Sequence, residues 1–209
     1  MKRLVVGISG ASGTVYGVRL LEVLKDTPIE THLVMSEATV RVIELETGYS
    51  VAGIEALADE VHNIRDIGAP ISSGSFKTMG MVVAPCSMKS LSAIANSYNE
   101  SLLVRAADVV LKEGRRLVLV ARETPLHLGH LKLMTRVVEM GGVILPPMPS
   151  FYHRPETIDD IVNQTVGKVL DQFDIGHDLF HRWEGTTMRR RTLEEERGIQ
   201  ARLPVRGDD

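Results

Sequence analysis

Five short apolar runs punctuate the chain, at 4–8, 32–35, 81–84, 117–120 and 143–145, each rich in Val, Ile, Leu or Met. A near-continuous apolar run of this length is what a strand buried on both faces requires. Between the runs, at 14–25, 38–46, 88–95, 102–113, 128–140 and 157–173, apolar positions recur three and four residues apart. That is the period of a helix laying one face on a core. Strands alternating with helices predict an open, mostly parallel α/β sheet with helices on both faces. Ligands of such sheets sit outside the C-terminal strand ends, where the strand order reverses.

The residues directly after each run therefore carry the functional reading. They are Ser9-Gly10-Ala11-Ser12-Gly13, Ser36, Pro85-Cys86-Ser87-Met88-Lys89-Ser90, Arg122-Glu123 and Pro146-Pro147-Met148-Pro149. The loop 68–80 is rich in glycine and serine and reads as too polar for core. Beyond Trp183 nearly every residue is charged or polar, so 185–209 is expected to be a charged, poorly ordered tail with one helical turn at 192–197. A single domain, 1–184, is expected ahead of it.

Composition narrows the class. The 209 residues are 44% hydrophobic but only 4% aromatic, so aliphatic side chains build the core. A net charge of −3 gives no reason to expect nucleic acid or an anionic membrane as partner. No apolar run is long enough to span a bilayer, and no leader precedes the first strand, so membrane insertion is not expected. Cys86 is the only cysteine. An intrachain disulfide is thus excluded, and a cytoplasmic location is expected.

The first loop, Gly7-x-x-Gly10-x-x-Gly13, joins a strand to a helix and forms an anion cradle of glycines, hydroxyls and helix N–H groups. The spacing differs from the dinucleotide fingerprint, and the next strand ends in Ser36 instead of a diol-binding acid. A dinucleotide stays open through neighbouring Glu37, but a mononucleotide phosphate is favoured. Ser87 reads as an N-cap that can share its helix end with a phosphate. Cys86 reads as a small buried hydrophobe before a nucleophile. Arg122 and Glu123 read as a functional pair or a mutual salt bridge. His127 and His130 lack an acid or cysteine at metal-ligand spacing, so no metal site is assigned. Arg105, Asp108 and Lys112 share a helix face and read as intrahelical ion pairs.

In combination, "GISGASGTVYGVRLLEVL", "THLVMS", "ELET", "ISSGSF", "PCSMKSL", "RAADVVLKE", "RETPLHLGHL", "PPMPSFYHRPET" and "RW" resemble the UbiX flavin prenyltransferase family, from Lys2 to about Trp183. The resemblance implies a Rossmann-like (flavodoxin-like) fold in a homo-oligomer, a dodecamer, with active sites at subunit interfaces. It also implies a metal-independent reaction: dimethylallyl phosphate alkylates reduced FMN at N5 and C6, giving prenylated FMN and phosphate. A UbiD-type decarboxylase would receive the product, in ubiquinone biosynthesis or aromatic-acid metabolism.

Position by position, the resemblance places Gly10, Ala11, Ser12, Ser36, Ser87, Met88, Lys89, Ser90 and Arg122 on the flavin. Tyr152 and Lys168 fall on the substrate phosphate, with Ser73, Arg105 and Lys112 nearby and Trp183 closing the site. Glu46 and Glu123, together with Ser12, would handle protons. Where some family members carry Trp this chain has Ile67, and where lysine is common it has Glu37, a change that would weaken attraction for the FMN phosphate. Rival readings are an FMN carrier or accessory subunit of a decarboxylase, and an FMN-dependent cysteine decarboxylase.

Overall fold

A computed structural model describes residues 2–185. Six parallel strands form one sheet: β1 (Lys2–Ile8), β2 (Ile29–Met35), β3 (Glu60–His62), β4 (Gly80–Cys86), β5 (Arg116–Ala121) and β6 (Val143–Ile144). Their spatial order is β3-β2-β1-β4-β5-β6, so the winding reverses between β1 and β4. Seven helices connect and flank them: α1 (Thr14–Lys25), α2 (Glu37–Glu46), α3 (Val51–Glu55), α4 (Met88–Ala95), α5 (Leu102–Lys112), α6 (Leu128–Glu139) and α7 (Ile158–Asp171).

Alternate residues of each strand bury into opposite layers, as the pleat dictates. Val5, Met81, Val83, Leu117 and Leu119 meet α4, α5 and α6 on one face. Leu4, Val6, Val82, Val118 and Val120 meet α1, α2, α3 and α7 on the other. All five expected strands and all six expected helices are present, and helices do cover both faces.

Several expectations change. β3 and α3 were not expected: β3 is three residues long, half-exposed and polar at its ends, and α3 is a single five-residue helix. The loop 68–80 is not excluded from the core. Ala69 and Ile71 are buried in a 3-10 turn at Pro70–Ser72, Phe76 packs on the same cluster, and Gly80 already belongs to β4. Ala69 and Ile71, on either side of Pro70, suffice to anchor it. α7 begins at Ile158 with Thr157 as its N-cap, and ends at Asp171, two residues short of the expected 157–173. A capping box decides the start: the Thr157 hydroxyl accepts from the Asp160 N–H, and the Asp160 carboxylate accepts from the Thr157 N–H. The expected tail, 185–209, lies outside the described residues apart from Gly185. Among the described residues no helix is long and apolar enough to cross a membrane.

Candidate functional site

The two loops at the winding reversal are fastened by one side chain. Ser9 is fully buried after β1; its hydroxyl donates to the Pro85 carbonyl (3.0 Å) and accepts from the Ser87 N–H (2.7 Å) after β4. Beside this joint opens a cleft of about 480 Å³ lined by residues of both loops and of the α2 and α5 starts. Gly10, Ser36, Ser87, Lys89 and Ser90 all line it. An apolar wall of Ile64, Leu103 and Val104 faces them.

Gly10 is a close-approach glycine: a Cβ there would sit 2.4 Å from the Ala38 side chain, so the first loop presses on the N-terminal turn of α2. Ser36 is the N-cap of α2 yet makes no side-chain cap bond; its hydroxyl pairs with the Thr39 hydroxyl at 3.0 Å. Ser87 does cap α4, accepting from the Ser90 N–H, as its position suggested. Met88 turns its side chain toward the core, leaving its backbone at the start of α4.

A second cluster adjoins the loop. The Glu46 carboxylate, closing α2, accepts from the Gly13 N–H at 2.8 Å and from the Ser12 hydroxyl. Burial pushes this carboxyl up. The bonds from Ser12, Gly13 and Thr14, and the Arg122 charge, outweigh burial and hold it below its ordinary range. Arg122 continues from β5, its N–H on the Cys86 carbonyl, and its charge also reaches Tyr16, whose phenol is raised by burial. Tyr16 is a neighbour of this cluster that the sequence reading passed over. Glu123 makes no ion pair with Arg122 among the described residues; its carboxylate accepts from the Thr124 N–H at 3.0 Å.

The remaining candidates form two further groups, none of which lines the cleft. Ser73 pairs with Ser75 at 2.9 Å in the loop that Arg105 holds by its Ser72 carbonyl. Arg105 also pairs with Asp108 at 3.1 Å, as expected. Lys112 does not join that row: it pairs with adjacent Glu113, and both side chains crowd Gly74. Elsewhere Tyr152 meets Trp183 edge-on, with ring centroids 6.0 Å apart. Lys168 lies 3.6 Å from Asp171. Asp171 also takes two bonds from Arg182, at 2.7 and 3.1 Å, and one from His177 at 3.1 Å. The Arg182 bonds hold the Asp171 carboxyl down to about 2 against its burial.

Cys86 is fully buried, and burial pushes its thiol up to about 12, which fits a packing role. His127 caps α6 through Nδ1, and its ring lies tilted against that of His130, with centroids 3.5 Å apart. Among the described residues no group of three His, Cys, Asp or Glu side chains could hold a metal.

Comparison with known proteins decides what this geometry belongs to. The pattern that defines the Flavoprotein family matches residues 1–170. Flavin prenyltransferase UbiX of Escherichia coli K12 is 64% identical over 188 residues, covering 88% of this chain and all of that protein. The chain belongs to the UbiX flavin prenyltransferases, within the Flavoprotein family. A crystal structure of AnUbiX (PadA1) with FMN and dimethylallyl pyrophosphate superimposes with a TM-score of 0.87 at 50% identity, over 88% of this chain and 98% of that one. A dodecameric FMN-dependent UbiX-like decarboxylase of Escherichia coli O157:H7 gives a TM-score of 0.86 at 54% identity, over 88% and 100%.

The residues present suit a UbiX-type flavin site. The cleft is in the range that holds a small cofactor, with an apolar wall and a polar end. The backbone of the first loop lies against α2 so closely that only glycine fits at position 10. Residues missed in sequence include Arg65, which lines the cleft and pairs with Glu37, and Asp171 with Arg182. Arg182 stood in the quoted "RW" pair; Arg65 carried no local signal, since its partner is 28 residues away.

Proposed function

We propose that this chain transfers the dimethylallyl group of dimethylallyl phosphate to N5 and C6 of reduced FMN, releasing phosphate and prenylated FMN. What supports the reading is the 64% identity to flavin prenyltransferase UbiX together with the Glu46 carboxylate, which accepts from the Gly13 N–H at 2.8 Å in the loop that faces the cleft. A flavin carrier has no use for a charged proton acceptor held in that place.

Gly10, Ala11, Ser36 and the Ser87–Ser90 stretch would hold the flavin, with Arg122 at its edge. When bound, reduced FMN supplies the two nucleophilic ring atoms that take the prenyl group. Arg105, Lys112, Tyr152 and Lys168, with Ser73, would bind the phosphate and stabilise it as the allylic C–O bond breaks, a task that cations and a phenol perform without a metal. Ser12 and Glu46 manage the proton near N5, and Glu123 takes the proton that C6 loses. Trp183, packed on Tyr152, closes the substrate side.

The phosphate-binding groups stand apart from the cleft within one chain, which supports assembly with neighbouring copies completing each site, in a dodecamer like that of the UbiX-like relative. A UbiD-type decarboxylase in the cytoplasm would use the product.

The test is anaerobic: mix the protein with reduced FMN and dimethylallyl phosphate, then assay free phosphate and the mass of the extracted flavin. A flavin heavier by one isoprenyl unit with matching phosphate is expected. FMN bound but unchanged would transfer the reading to a carrier or a decarboxylase.

A further inference from the structure

An acid opens α2: Glu37 follows Ser36 directly and lines the cleft beside it. On sequence alone that charge opposes any anion held there. In the structure Arg65 answers it, its Nε and Nη2 donating to one Glu37 carboxylate oxygen at 2.9 and 2.6 Å. Arg65 lines the same cleft, and its Nη1 has no bond among the described residues.

The backbone that carries Arg65 is fixed. Its own N–H donates to the Asn63 side chain at 2.9 Å, the Asp66 N–H to the Asn63 carbonyl at 2.9 Å, and the Leu102 N–H to the Ile64 carbonyl at 2.9 Å. The side chain itself is 79% exposed and its partner 67%, so the pair is a poor stabiliser of the fold. The cleft's second cation, Lys89, likewise faces an acid, Glu100, at 3.4 Å. Two acids and two bases therefore line the cleft, and its charge is balanced before any ligand enters. Removing Arg65 would leave Glu37 uncompensated at the mouth of α2.

We infer that Arg65 determines the preference of this cleft for a phosphate-bearing flavin over the dephosphorylated one. It neutralises Glu37 through Nε and Nη2 and offers its Nη1 to the phosphate. This inference rests on the cleft being the FMN site.

Quenching of flavin fluorescence on the full-length oligomer gives the dissociation constants of FMN and riboflavin separately. Arg65→Ala should weaken FMN about tenfold and leave riboflavin within about twofold, since only the phosphate loses a charged donor. The FMN loss should shrink in about 0.5 M salt. Arg65→Lys should keep part of the preference, and Arg65→Ala with Glu37→Ala should recover part of the FMN affinity but not all. Both side chains are exposed, so these variants are expected to melt with the wild type.

An unchanged FMN-to-riboflavin ratio in Arg65→Ala would overturn the assignment while leaving the FMN site standing. Full recovery in the double variant would overturn the phosphate contact. A wild-type protein with no preference for FMN would instead overturn the reading of the cleft itself.

Discussion

The Glu46 carboxylate receives the Gly13 amide at 2.8 Å across 33 residues of sequence, tying the end of α2 to the loop after β1. This bond ties the first loop to α2 and, with the Ser12 hydroxyl, helps hold the Glu46 carboxyl below its ordinary range. Glu46→Gln should keep the fold and the bond, because an amide oxygen still accepts. Product formation should fall at least about a hundredfold, the lower end of the usual range for loss of a general base, while FMN affinity holds. Quenched-flow phosphate release with parallel flavin titration would check it; unchanged turnover would remove Glu46 from proton handling.

Glu123→Gln should separate from Glu46→Gln. Its carboxylate holds only the neighbouring Thr124 amide, so stability and FMN binding should match the wild type. The prenylated product should nonetheless drop about tenfold or more. Mass spectrometry of the extracted flavin gives the answer, and a wild-type yield would exclude Glu123 as the acceptor of the C6 proton.

Acid stability should depend on Asp171. Its carboxyl sits at about 2 in the folded chain against an ordinary 3.8, so the unfolded chain takes up its proton first as pH falls. The contribution is complete above about pH 4 and lost as pH approaches 2. The Asp171 side chain is 21% exposed but its main partner Arg182 is 51% exposed, so solvent screening reduces the contribution to roughly 1 kcal/mol. Urea midpoints between pH 5 and about 2.5 should therefore fall less steeply in Asp171→Asn than in the wild type.

Gly10→Ala should cost binding more than stability. The new methyl meets the Ala38 side chain at 2.4 Å, and relieving that contact moves the loop off α2. A destabilisation of about 1–3 kcal/mol is expected from the overpacking, with FMN affinity down by more than that predicts. Gly17→Ala is the contrast: its methyl would meet the Ala84 carbonyl at 2.3 Å in the core, so it should unfold the chain more readily without a specific flavin defect.

Cys86 should resist thiol reagents in the folded protein at pH 8 and react on unfolding, because burial raises its thiol to about 12. Cys86→Ala should leave the transferase rate near wild type, and alkylation mass shifts with and without urea would show the difference.

The parallel sheet was legible because its central strands are buried on both faces, which leaves unbroken Val and Leu runs such as Leu117–Leu119 in the sequence. β3 was not, since three polar-flanked residues at an edge carry no period. The loop 68–80 misled because its composition is polar while two side chains, Ala69 and Ile71, do the burying. Residues on the sheet edge could be chosen from strand ends alone. Their partners could not: Arg65 with Glu37 and Arg182 with Asp171 meet only after the chain folds. Lys112 shows the converse error, in which a regular spacing on α5 suggested a partner and the adjacent glutamate took its place.

Ser9 sets a boundary on how this scaffold can change. One hidden hydroxyl is shared by two loops, so neither can be redrawn independently of the other. Variation in ligand is thus left to the rim, to positions such as 37, 65, 89 and 100, which can drift in pairs while the joint beneath them stays as it is. An engineer seeking a different flavin has the same latitude: keep the buried serine and trade charges around it.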